Sequence, residues 1–94
     1  MITEFQARAQ MAAVLSSEAT PHQKVKALLR IAIQIRNHAA TLEGTRQLAT
    51  IGNNPNTHSH MERLLQSLRM LHDEVRLAAW AILIHEPVRE AASV

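Results

Sequence analysis

Residues 61–85 read MERLLQSLRMLHDEVRLAAWAILIH. Met61, Leu64, Leu68, Leu71, Val75, Ala78, Ile82 and His85 follow one another in steps of three and four, the spacing of one face of a long α-helix. Leu65, His72 and Ala79 flank that seam. Ahead of it, Ser59-His60-Met61-Glu62 has the form of a capping box, in which a hydroxyl and an acid satisfy each other's backbone amides. Behind it, Pro87 lacks the N–H a helix interior needs. The stretch therefore reads as a helix over about 59–86, with 87–94 as a frayed tail.

Moving toward the N-terminus, residues 52–58 (Gly-Asn-Asn-Pro-Asn-Thr-His) carry turn chemistry throughout and read as a loop. Before them Thr20-Pro21-His22-Gln23 forms a second box, with Pro21 at the first helical position, where a missing N–H costs nothing. Val25, Leu28, Ala32, Ile35, Ala39 and Leu42 then make a second heptad seam, widened by Leu29 and Ile33. Gly44 leaves two ends open. It caps a helix over 21–43, or it sits inside one over 21–51, at about 1 kcal/mol, where a neighbour approaches closely. The longer helix, roughly 46 Å, matches the roughly 42 Å of the last helix. A third box, Thr3-Glu4-Phe5-Gln6, opens a helix over about 3–18. Its main stripe reads as Phe5, Ala9, Ala12 and Ala13, with Met11, Val14 and Leu15 beside it.

Composition agrees with this pattern. Of 94 residues, 47% are apolar but only 2% aromatic, with two Gly and no Cys. That excludes a turn-rich β-sandwich, a disulfide framework and a thiolate metal site. Residues 1–94 form a single all-α domain: an antiparallel long-helix hairpin plus an N-terminal helix, in a helical bundle. Fifteen of the apolar residues are Ala, which form helix well but bury little area, so a partner chain is expected to complete the core.

The last helix carries a second stripe. Met70, Leu77 and Ile84 lie seven apart, with Trp80 near them, on a face the first seam does not use. Residues 77–84 are apolar all round, which calls for burial from several sides. Two readings are open. The N-terminal helix folds back over this face, or the face is the interface of a homodimer, with Trp80 as its anchor.

Residues for chemistry are scattered. His58 and His60 would point to opposite sides of an extended loop, and no His-Glu-x-x-His or paired Glu-x-x-His ligation pattern occurs. His72 reads as a half-buried histidine beside the core. Ser16, Ser17, Ser59 and Ser67 have no nucleophile elbow, and Gly44 and Gly52 stand alone rather than in a phosphate loop. The expectation is a chain that is not an enzyme, without metal or cofactor. Lys24, Lys26, Arg30 and Arg36 outweigh Glu43 over 21–43, a possible basic patch for an acidic partner or phosphates, although no aromatics interleave it for base stacking. The longest apolar run is too short to span a bilayer and Glu4 argues against a secretory leader, so a cytoplasmic location is expected. The excess of Arg over Lys is compatible with a bacterial source.

Two resemblances bear on function. Ala40-Thr41-Leu42-Glu43-Gly44 resembles the His-x-Leu-Lys-Gly segment of histidine-phosphotransfer domains, but Ala40 stands where their phosphorylated His would be and Glu43 where the Lys would be, so no phosphotransfer is implied. A short N-terminal helix, two long antiparallel helices and an apolar C-terminal half-helix near a Pro are similar to TraM-type antiactivators. That resemblance implies a small helical dimer that sequesters a transcription factor. The function expected from the residues is a protein–protein interaction module of regulatory or adaptor type, acting as a helical homodimer. The alternatives are the antiactivator mode and a nucleic-acid-binding regulator using the basic face of the second helix.

Overall fold

The computed structural model describes residues 2–52 and 55–93, with side-chain positions for 2–48 and 55–85. Three helices follow in order: α1 (Glu4–Ser16), α2 (Pro21–Ile51) and α3 (Pro55–Ser93). Helices α2 and α3 pack along their length as an antiparallel hairpin, and α1 lies against both. The Cα radius of gyration is 16.9 Å, with extents of 63 × 19 × 14 Å. A compact chain of this length would have about 12–13 Å, so the molecule is a rod.

Two of the three boxes start helices. Gln6 N–H donates to Thr3 Oγ1 and Thr3 N–H to Gln6 Oε1, both at 3.1 Å. Ile2 before the cap and Ala7 in the next turn are both buried, adding a hydrophobic staple. Thr20 and Gln23 exchange the same pair of bonds at 3.2 Å. The third box does not cap. α3 begins at Pro55, so Ser59 lies inside it and Glu62 turns to Arg46 and His58. Pro55 stands at the position where a missing N–H is free, which moves the start four residues ahead of Ser59. At the other end the helix does not stop by residue 86. It runs through Pro87 to Ser93, and the Leu83 carbonyl lies where the absent Pro87 N–H would have donated.

Gly44 does not end α2, which continues to Ile51. Continuity brings Arg46 beside Glu62 of α3 at 3.3 Å, with Glu43 one turn back on the same guanidinium. Arg69 of α3 lies 3.7 Å from Glu43. The hydrogen bond Arg46 donates to Glu43, above all, raises the Arg46 pKa, so the cation stays charged. The neighbour expected beside Gly44 is absent: a Cβ there would meet nothing within 4 Å. Gly44→Ala is therefore expected to raise the unfolding free energy by about 0.5–1 kcal/mol, by removing backbone freedom from the unfolded chain. A thermal melt with no rise, or a fall, would contradict this.

The core is one layer of aliphatic side chains. Val25, Leu28, Ala32 and Ile35 of α2 meet Leu68, Leu71, Val75 and Ala79 of α3, while Ala39, Leu42, Ala78 and Ile82 are partly buried around them. Three details differ from the heptad reading. On α2, Leu29 and Ile33 are exposed and Ile31 is buried, because α1 approaches from the Ile31 side. On α3, Leu64 and His85 are exposed while Leu65 and Ala79 are buried. A straight helix drifts about 20° per heptad against a strict seven-residue repeat, which turns the C-terminal members of the seam, His85 above all, away from the core. On α1 the inward face is Ala7, Met11 and Val14; Phe5, Ala9, Ala12 and Ala13 face solvent. A stripe made mostly of Ala buries less than one joining Ile2, Ala7, Met11 and Val14.

Candidate interaction surface

The hairpin has two long faces. One is occupied by α1. Its Arg8 reaches Glu74 of α3 with both terminal nitrogens, at 2.9 and 3.4 Å, and Glu4 in its own helix at 3.3 Å. The hydrogen bonds with Glu74 and then Glu4 raise the Arg8 pKa, and the contact links α1 to α3. At the far end of α1, Ser17 Oγ donates to the Val14 carbonyl at 2.7 Å and Lys24 Nζ to the Leu15 carbonyl at 3.1 Å, placing a cation on the negative end of the helix.

The opposite face is open. Leu29 of α2 and Leu77, Trp80 and Leu83 of α3, with Asp73 and Arg76, line a cleft of about 630 Å³. A second cleft of about 540 Å³ continues toward Arg36, Ala40 and Arg69 and shares Asp73 with the first. Together they form a shallow groove along the hairpin, apolar toward the α2 N-terminus and charged toward the middle.

All four residues of the second stripe are exposed: Met70 59%, Leu77 66%, Trp80 60% and Ile84 52%. Helix α1 does not cover them, which removes the fold-back reading. Leu29, Ile33 and Leu83 add exposed apolar area to this side. The heptad reading of α2 had assigned Leu29 and Ile33 to the core, so their part in the surface was not visible. Asp73 also belongs here. Positions 70, 73, 77, 80 and 84 alternate steps of three and four, a second complete seam with one carboxylate in it.

The four cations of α2 do not gather into one patch. Lys24 is bonded to α1. Lys26 and Arg30, one turn apart, are exposed, and Arg36 lines the groove. The histidines are dispersed too. His58 lies on α3, 3.7 Å from Glu62. His72 is half-buried at the groove, 3.8 Å from Asp73. His38 lines a separate cleft between α1 and α2 with Gln6, Gln10, Gln34 and Asn37. Among the described residues no three His, Asp or Glu side chains are grouped as metal ligands, and no helix is long and apolar enough to cross a membrane.

Comparison with family models, with curated proteins and with solved structures finds no match to the chain. The functional reading therefore rests on the surface itself.

Proposed function

We propose that this chain is a non-enzymatic protein–protein interaction module of regulatory or adaptor type, working as a helical homodimer. One observation carries the reading. Leu29, Leu77, Trp80 and Leu83 line one cleft and are each more than two-fifths exposed, and Ile33 and Ile84, one helical turn from Leu29 and Trp80, are exposed as well. Single exposed apolar residues are ordinary, but a contiguous patch of this kind marks an association surface. Trp80 is its anchor, because large aromatics in the middle of a patch dominate binding energy. A shallow, mostly aliphatic groove fits the side of another helix. Sequestration of a helical regulatory protein, the mode implied by the TraM-type resemblance, is one use of such a surface. The dispersal of Lys24, Lys26, Arg30 and Arg36 gives the nucleic-acid reading less support.

Size-exclusion chromatography with light scattering at tens of micromolar tests this. The wild-type chain is expected at twice its 10.5 kDa mass. Trp80→Ala should move the mass toward the monomer while leaving helix content intact. A wild-type monomer at all concentrations, unchanged by Trp80→Ala, would remove the homodimer.

A further inference from the structure

We propose that two copies pair through α3 in antiparallel fashion, about a two-fold axis near residue 75, with Asp73 of each copy facing Arg76 of the other. This rests on the homodimer reading above and specifies its register. The argument begins from the seam Met70-Asp73-Leu77-Trp80-Ile84. Four of its five members are apolar and exposed, so a helix laid along it must also accommodate a carboxylate. Among the described residues Asp73 has no hydrogen-bond partner, and only the ring of His72, at 3.8 Å, is an ion-pair neighbour. Arg76, one turn further on, is exposed, lines the same cleft and has no ion pair among the described residues. The seam thus carries an acid, and the cleft beside it a base three residues further along the same helix.

Those charges discriminate between registers. A parallel pair sets Asp73 beside Asp73 at the interface, two carboxylates in one layer, which opposes association. An antiparallel pair centred on Leu77 sets Asp73 level with Ala81 of the second copy and leaves it without a counter-charge. Centring near residue 75 brings Asp73 level with the Arg76–Leu77 step of the other chain. Two-fold symmetry makes the contact twice, since a residue that meets its mate's partner is met in return. The same register sets Trp80 level with Met70 of the second copy and within about one residue, roughly 1.5 Å of rise, of its Arg69. Both are favourable neighbours for an indole, through sulfur–aromatic and cation–π contact. A seam that supplies its own counter-ions and its own aromatic partners points to a second copy rather than to an unrelated helix. The hairpin's 63 × 19 Å extent also leaves room for the about 800 Å² per partner of a standard interface.

A charge exchange tests the register directly. Asp73→Arg alone places Arg against Arg twice, and Arg76→Asp alone places Asp against Asp twice. Each variant is expected to self-associate about tenfold or more weakly than wild type. Mixed in equal amounts, the two variants restore both pairs, so the mixture should regain the dimer mass as a one-to-one heterodimer. Both positions are exposed in the single chain, and circular dichroism should find each variant as helical as wild type. Variants that dimerise as well as wild type, or a mixture no heavier than its components, would overturn the register while the wild-type dimer stood. A wild-type monomer would overturn the register and the homodimer together.

Discussion

Replacing Leu71 with Ala is expected to lower the unfolding free energy by about 3–5 kcal/mol, whereas Phe5→Ala should change it by no more than about 0.5 kcal/mol. Leu71 has no exposed surface and lies in the single layer between α2 and α3, with Leu28, Ile35 and Val75 equally enclosed. Truncation removes the transfer energy of the lost methyls and leaves a cavity that two long packed helices cannot easily close. Phe5 is the larger side chain and one of only two aromatics, yet it is 83% exposed in the first turn of α1. Its removal uncovers nothing. Urea denaturation followed by far-ultraviolet circular dichroism, at one fixed protein concentration, measures both. A Phe5→Ala loss as large as that of Leu71→Ala would mean that α1 presents its other face to the hairpin.

That pair of residues also shows where the sequence was legible. The α2–α3 hairpin could be read because two long 3–4 seams reinforce each other, and each added turn repeats the same message. Thr3 and Thr20 could be read because a box is local, decided by four residues. Ser59 has the same pattern and failed, since local chemistry does not choose between two nearby starts, and Pro55 offered an earlier one. The face of α1 was hidden for a different reason. Its apolar residues are distributed around much of the helix, so periodicity favours no direction strongly. The direction is set by contacts distant in sequence: Ile2, Ala7, Met11 and Val14 meet the hairpin core, and Arg8 meets Glu74, sixty-six positions away. The open surface was half visible. Met70, Leu77, Trp80 and Ile84 stood out because one seam cannot use them. Leu29 and Ile33 did not, because only the position of α1 decides which side of the α2 seam is covered.

The second large effect belongs to Leu77. Leu77→Asp is expected to weaken self-association by about a thousandfold or more, while the isolated chain loses under about 1 kcal/mol. In the single chain Leu77 is 66% exposed, so an aspartate there remains mostly in water and costs little beyond helix propensity. In the proposed dimer the same position is central to the seam, and symmetry counts the change twice. Each copy forfeits about 1.5–3 kcal/mol of Leu burial and brings a carboxylate to an apolar interface. In the antiparallel register it also comes level with Asp73 of the other chain, adding like-charge repulsion. Two such losses amount to at least about 4 kcal/mol, which is the thousandfold. The readout is linkage between folding and association. For a dimerising wild-type chain the melting midpoint rises with protein concentration, because association stabilises the folded form by mass action. For Leu77→Asp it should be flat across the same range, at a helix content equal to wild type. A midpoint that climbs equally in both proteins would mean that any dimer forms through a face that excludes Leu77.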